Sequence, residues 1–252
     1  MKALVTGASA GIGKEFAQLL AHEGYDLVIT ARNTERLQVL AKELNQSAQR
    51  EVEVITADLT TDSGINLIEQ RLLQGDIEVL INNAGFGLNQ SFTKSSASDE
   101  ISVIKILCEA PMRLAHAVIP SMIDRNNGIV INVSSVASWI TGGHYSAAKS
   151  YLMVLSESLH TELSETAIKV CSLAPGFTHT EFHQRGGMKM SGIPKFMWLD
   201  VKDVVKTAWH DAKAGEAISI PGRQYQALHL VMRYAPRSLV RRMGFSVRRK
   251  QR

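Results

Sequence analysis

Tyr145 and Lys149 stand four residues apart in Tyr145-Ser146-Ala147-Ala148-Lys149, so on a helix they share one face about one turn, ~5.4 Å, apart. An ammonium held beside a phenol favours the phenolate. It is expected to draw the tyrosine pKa down from ~10 and make Tyr145 a usable proton donor near neutrality. Ten residues upstream, Ser134-Ser135 closes a β-branched run and offers a hydroxyl to the same chemistry. A Tyr-x-x-x-Lys pair by itself is more often a solvated helix face; its setting after Ser135 and before Pro175-Gly176 is what raises it above that.

A second chemistry sits near the N-terminus, where Thr6-Gly7-Ala8-Ser9-Ala10-Gly11-Ile12-Gly13 follows a strand-like run and precedes a segment with Phe16, Leu19 and Leu20 on one face. Gly7, Gly11 and Gly13 let the backbone turn tightly and approach a pyrophosphate, whose charge is favoured by the free N–H groups of a helix N-terminus. A nucleoside-triphosphate loop is excluded, because Gly13-Lys14 is followed by Glu15 rather than Ser or Thr and position 8 is Ala8. About 20 positions on, where an acidic residue would accept from a ribose 2′-hydroxyl, the chain reads Thr30-Ala31-Arg32-Asn33. Arg32 can pair with a 2′-phosphate that an aspartate would repel, so NADPH is expected over NADH; its alternative use is a surface ion pair with Glu35 or Glu43.

Strands and helices must alternate to position these groups. Strand-like runs occur at Ala3 to Thr6, Leu27 to Thr30, Val52 to Thr56, Val79 to Ile81, Ile129 to Val133, Val170 to Leu173 and Ala217 to Ile220. Amphipathic segments lie between them at Gly13 to Glu23, Thr34 to Leu44, Ile65 to Leu73, Ile101 to Ile123 and Ala147 to Leu163. This order predicts an α/β fold, a doubly wound Rossmann-type parallel sheet whose ligands bind at the carboxyl ends of the strands. A single domain is expected over 1–222, with a substrate lid at 181–200 and a basic C-terminal extension at 223–252.

From residue 3 to about residue 220 the chain resembles the short-chain dehydrogenases/reductases. The resemblance is carried by the glycine pattern Thr6 to Gly13, Asp58 after the third strand, Asn82-Asn83-Ala84-Gly85 after the fourth, Ser135, the Tyr145 to Lys149 pair, and Pro175-Gly176 with Thr180. It implies an oxidoreductase that passes a hydride between a nicotinamide and a small-molecule carbonyl or alcohol. Ser135 would then hydrogen-bond the substrate carbonyl, Tyr145 act as general acid, and Lys149 tune it and hold the nicotinamide ribose. NADP(H) would lie against Gly7, Ser9, Gly11, Ile12, Gly13 and Arg32, with Asp58 at the adenine. Asn83, Ala84, Gly85, Tyr145, Lys149, Pro175, Gly176 and Thr180 would complete its site. Pairing of subunits through the helices Ile101 to Ile123 and Ala147 to Leu163, in a dimer or tetramer, is implied by analogy.

The chain departs from the family's pattern twice. Leu107 stands where the family has a catalytic asparagine associated with a proton-relaying water, and Lys105 and Glu109 should face elsewhere on a helix. Ser135 precedes Tyr145 by ten residues, about three fewer than usual, so the loop Val136 to His144 is short, and a register slip would substitute Ser134. A cofactor-binding sensor or scaffold with little turnover is the competing reading. The lid holds Met188, Met190, Ile193, Phe196, Met197 and Trp198 with Gly186, Gly187 and Gly192, which points to an apolar substrate or to ordinary packing. His179 and His183 lack a third ligand at a recognisable spacing, and no metal is expected.

The chain has 252 residues, 45% hydrophobic and 21% charged, which excludes disorder and collagen-like repeats. Cytoplasmic location is expected from the absence of a signal series before the first strand, and Cys108 and Cys171 read as buried small hydrophobes. Net charge is +4, yet residues 233–252 hold eight basic side chains and no acidic one, so the excess is local and nucleic acid is not the expected partner. The tail's Leu239, Val240, Met243 and Phe245 fit a basic amphipathic helix on an anionic membrane or acidic partner, or plain packing beneath solvated arginines.

Overall fold

β-branched runs become strands wherever both faces of the sheet are covered, and the inner strands here read as nearly unbroken Val, Ile and Leu. The structure, a computed structural model, describes residues 1–88, 90–182, 187 and 192–241. The strands are β1 (Lys2–Thr6), β2 (Asp26–Ala31), β3 (Val52–Thr56), β4 (Val79–Asn82), β5 (Gly128–Val133), β6 (Ile168–Leu173) and β7 (Ile218–Ser219). They form one parallel sheet in the order β3-β2-β1-β4-β5-β6-β7. The chain therefore works outward from β1 to β3 and returns to the other side of β1 at β4. That reversal opens a crevice at the carboxyl ends of β1 and β4.

Eight helices cover the sheet among the described residues: α1 (Gly11–His22), α2 (Thr34–Ala48), α3 (Asp62–Leu72), α4 (Ala97–Ile104), α5 (Ala110–Arg125), α6 (His144–Glu162), α7 (Val201–Ala214) and α8 (Arg223–Tyr234). Alternation along β1 sends Ala3 and Val5 to one face, where they meet Phe16 and Leu20 of α1 and Val205 and Trp209 of α7. Leu4 goes to the other face with Ile65 and Ile68 of α3 and Leu114 and Val118 of α5. Each fully buried aliphatic side chain contributes about 1.5–3 kcal/mol relative to exposure, so the two layers hold most of the fold's stabilisation. Cys108 and Cys171 are buried free thiols, as expected.

The long helix expected over Ile101 to Ile123 is interrupted. It starts earlier, at Ala97, and Lys105–Glu109 widens into one π-helical turn before α5. Ala110 donates its N–H to the Lys105 carbonyl, and Pro111, the next residue, has no N–H to give. The widened turn places Leu107 with its side chain against Gly85, where an added Cβ would lie 2.6 Å from Leu107 Cδ2. β7 is shorter than the expected run Ala217 to Ile220. The expected domain edge at 222 falls at Gly222, the residue before α8, but α8 is packed on the rest of the fold, with Tyr225 and Met232 buried.

A polar chain crosses the core. Asn82 donates to Asn132 Oδ1 at 2.9 Å, Asn132 to Ser156 Oγ at 2.9 Å, and Ser156 to the Leu152 carbonyl at 2.7 Å, which ties β4, β5 and α6 together. Every member is buried, so a missing partner cannot be replaced by bulk water. Asn132→Val is expected to lower the unfolding free energy by about 2 kcal/mol; a urea midpoint equal to that of the wild type would show that the chain contributes nothing.

Candidate active site

The crevice is closed at its base by one hydroxyl. Thr6 Oγ1 donates to the Ile81 carbonyl at 3.2 Å and accepts from the N–H groups of Asn83 at 2.9 Å and Ala84 at 3.0 Å. The Asn83 amide then donates to the carbonyls of Thr6 at 2.8 Å and Gly7 at 3.2 Å. The glycine turn is thus clamped to the end of β4. Gly7 and Gly11 take φ of +67° and +58°, the left-handed region that favours glycine. An added Cβ at Gly13 would sit 2.4 Å from the Gly7 carbonyl oxygen, so only glycine lets α1 begin this close to the turn.

α1 differs from its neighbours at its N-terminus. Asn33, Thr61, Ser96 and Asp200 cap α2, α3, α4 and α7 through their side chains, and each of those helices has an acidic residue in its first turn. Ala10 gives α1 no side-chain cap, and the first turn has no acid. Its N–H groups and the positive end of its dipole are left for an anion, which is the requirement of a dinucleotide pyrophosphate. Ser9 and Ile12 lie in the same turn, Ile12 packing on the core below. Thr180 packs over Gly11, where a Cβ would lie 3.1 Å from it.

Arg32 lies exposed just past β2, and among the described residues it forms no hydrogen bond or ion pair. The surface pair considered for it is not formed: Glu43 binds Lys14 at 3.2 Å. The neighbouring Arg36 is engaged, bridging to Glu181 at 2.8 Å and so joining α2 to the segment after Thr180. Asp58 follows β3 and accepts from the N–H and hydroxyl of Thr60 at 2.9 and 2.8 Å, which fixes its carboxylate at the rim.

Ser135, Tyr145 and Lys149 gather at the end of β5 and the start of α6. Lys149 is buried, and its Nζ donates to the Val133 carbonyl at 2.6 Å while lying 5.7 Å from the centre of the Tyr145 ring. Ser134 is turned into the protein and donates to the Lys149 carbonyl at 2.8 Å, whereas Ser135 hydrogen-bonds the Tyr145 phenol. Strand alternation thus selects Ser135 over Ser134. The short connection is built from one 3-10 turn, Val136–Trp139, with Ala137 N–H donating to Ser135 Oγ at 3.1 Å, followed by Gly142-Gly143. Ser150 fastens the turn to α6 by donating to the Ser138 carbonyl at 2.6 Å.

The expected lowering of the Tyr145 pKa is corrected. Burial pushes the phenol up to about 12, with the Ser135 hydrogen bond pulling the other way, and burial brings Lys149 down to about 8. Lys149 is committed to the Val133 carbonyl, and burial is the dominant influence on the phenol. Lys105 and Glu109 are taken up elsewhere, by Asp62 at 2.7 Å and Arg113 at 3.3 Å. Behind Lys149 is a pocket of about 10 Å³, the room of one water, lined among others by Asn82, Leu107 and Pro111. Asn82 Oδ1 is buried there without a donor among the described residues.

Two groups went unnoticed in the sequence, and a third, Asn82, was noted only as the first residue of its motif. Tyr225 of α8 accepts from the Phe177 N–H at 2.9 Å and donates to the Met197 carbonyl at 2.6 Å, so it rivets the Pro175-Gly176 loop to the 3-10 turn Lys195–Met197. Gly176 is required beneath it, since a Cβ would come within 2.0 Å of the Tyr225 ring. His144, one residue before Tyr145, pairs with buried Glu100, which Ser95 also holds. None had a local signal, because the partners of Tyr225 and His144 lie 28 to 48 residues away in the chain, and Asn82 Oδ1 has no partner among the described residues.

In the expected lid, Phe196 is 70% exposed and Trp198 stacks on His179 with ring centres 4.7 Å apart. Met188, Met190, Gly186 and His183 lie outside the described residues, among which no group of three metal-ligating side chains occurs.

Residues 1–189 match the family described as short chain dehydrogenase. The chain is 30% identical over 211 residues to an uncharacterised oxidoreductase of Staphylococcus saprophyticus, covering 82% of this chain and 88% of that protein. Among solved structures it is similar to a short-chain dehydrogenase from Sphingobium yanoikuyae in complex with NADPH, with a TM-score of 0.85 and 32% identity over 92% of this chain and 93% of that one. It is also similar to a bulky-bulky ketone specific alcohol dehydrogenase from Comamonas testosteroni, with a TM-score of 0.79 and 30% identity over 94% and 95% of the two chains.

Difference titration of phenolate absorbance between the wild type and Tyr145→Phe, both free of cofactor, is expected to place the extra ionisation near pH 12. A midpoint below that of an ordinary tyrosine, ~10, would show that Lys149 dominates after all.

Proposed function

Because the chain belongs to the short-chain dehydrogenase family and is an oxidoreductase of it, we propose that it is an NADPH-dependent reductase of apolar carbonyl compounds, or oxidises the matching alcohols. The observation that carries this reading is the Ser135 hydroxyl on the Tyr145 phenol with the Lys149 ammonium 5.7 Å from the same ring. The uncapped N-terminus of α1 and the glycine turn would hold the pyrophosphate, and Arg32 the 2′-phosphate. Asp58 would face the adenine, and Asn83, Ala84, Gly85, Pro175, Gly176 and Thr180 would frame the rest. When bound, the dihydronicotinamide supplies a hydride.

The chain's own residues manage the proton. Ser135 donates a hydrogen bond to the substrate oxygen and orients it, and Tyr145 gives its proton to that oxygen. A phenol held near 12 is fully protonated at neutral pH, which suits reduction; oxidation needs the phenolate and is favoured as pH rises. Lys149 is charged below about 8 and stabilises the phenolate once the proton has left. With Leu107 packed on Gly85, Asn82 and Thr6 are the uncharged polar side chains that line the small pocket with Lys149.

Apolar substrates fit the aromatic neighbour of the phenol, Phe182, whose ring centre lies 6.0 Å from that of Tyr145. The exposed Ile101, Ile104, Tyr151 and Val154 support subunit pairing through the long helices.

NADPH consumption with a panel of aldehydes, diketones and keto-acyl compounds is expected to fall by ~10²–10⁴ in Tyr145→Phe. Tight NADPH binding with no turnover on any of them would favour a sensor instead. Arg32→Ala is expected to weaken NADPH binding about tenfold or more while leaving the NADH dissociation constant unmoved, as befits loss of a charge-assisted contact. Equal losses for both cofactors would remove the 2′-phosphate assignment.

A further inference from the structure

α8 carries two apolar stripes at helical spacing. Tyr225, Leu228, His229 and Met232 face inward, Tyr225 and Met232 fully buried. Offset by two residues, Ala227, Leu230, Val231 and Tyr234 repeat the same i, i+3, i+4, i+7 spacing on the opposite side. There Leu230 is 59% exposed, Val231 60% and Tyr234 76%. Scattered exposed leucines are ordinary, but three large apolar side chains on one helical stripe form a patch. Phe196, also exposed, adjoins the start of α8, where the Gln224 amide donates to its carbonyl at 3.1 Å.

Charge selects the partner. From residue 217 to the end the chain holds nine basic side chains and no acidic one. Arg223, Arg233, Arg237 and Arg241 among them are exposed around the stripe and just beyond it. An apolar helix face bordered by arginines and followed by a basic tail matches an anionic lipid surface, with the apolar side chains at the acyl boundary and the arginines among the headgroup phosphates. Among the described residues no helix is long and apolar enough to cross a membrane, so the helix would lie on the bilayer rather than span it.

We propose that α8 docks the protein on an anionic membrane surface, with Leu230, Val231 and Tyr234 inserted into the interface and the exposed Arg223, Arg233, Arg237 and Arg241 among the headgroups. The consequence for the site follows from what α8 holds on its inner side. Tyr225 fastens the loop after Pro175-Gly176, and His229 packs on Trp139, in the turn after Ser135, with ring centres 4.4 Å apart. Docking through the outer stripe leaves these loops across α8 from the lipid, held by its inner face. The surface itself stands independently of the reductase reading.

The test is co-sedimentation of the full chain with vesicles of phosphatidylcholine alone and of phosphatidylcholine with phosphatidylserine, beside the triple variant Leu230→Gln, Val231→Gln, Tyr234→Gln. The wild type is expected to bind the anionic vesicles at least ~10-fold more tightly than the neutral ones, with added salt weakening binding. The triple variant should lose that binding while keeping the wild-type circular dichroism and its NADPH affinity. Equal sedimentation of wild type and variant would overturn the proposal. So would absence of vesicle binding together with a wild-type dimer in solution that the variant breaks, because the stripe would then belong to a second copy.

Discussion

The site depends on a buried lysine tied twice to one strand end. Lys149 Nζ donates to the Val133 carbonyl, and the Lys149 carbonyl accepts from Ser134 Oγ. This reciprocal pair fixes the register of α6 on β5. Tyr145, one turn earlier on α6, is thereby set against Ser135, the residue that strand alternation turns the other way from Ser134. A one-residue slip would bury the wrong serine and leave the ammonium without an acceptor in a low-dielectric core, a cost of several kcal/mol. The same burial makes the lysine a weaker base and the phenol a weaker acid than in water.

At the other end of the crevice the constraint is the end of β4 rather than a charge. Thr6 Oγ1 makes three hydrogen bonds across β1 and β4, and Asn83 holds the glycine turn by two carbonyls. With the turn fixed from behind, α1 can begin without a side-chain cap, and its free N–H groups point where an anion can use them. The strands hold the turn, and the end of α1 is left uncapped. The π-helical turn at Lys105–Glu109 has a similar logic, since it accommodates Pro111 and places Leu107 on Gly85 while Thr6 and Asn82 join Lys149 in lining the small pocket.

α8 ties together loops at the carboxyl end of the sheet. Tyr225 joins the loop after β6 to the turn at Lys195–Met197, and His229 backs the turn after Ser135. A segment that composition marks as a basic extension is thus partly structural, because one face of α8 has the apolar spacing of a core helix. Its other face has that spacing as well and remains exposed.

Local spacing was enough to read the alternating α/β order, the glycine turn and Arg32 in place of an acid, since each depends on residues within a turn or a strand of one another, whereas the Tyr145, Lys149 and Ser135 set stood out only through the order of motifs along the chain. Helix and strand edges moved by a few residues, and the helix around Leu107 was read as unbroken, because a π turn leaves no mark in apolar periodicity. The direction of the Tyr145 pKa was read from its lysine alone and came out reversed, since desolvation is a property of everything packed around a group. Likewise the Glu100–His144 pair, the Tyr225 rivet and the orphaned Asn82 oxygen join or expose groups that sequence distance separates and only packing brings together. Which chemistry the chain carries was therefore written in neighbouring residues; how strongly each group holds its proton, and what braces it, was decided by burial and long-range contacts.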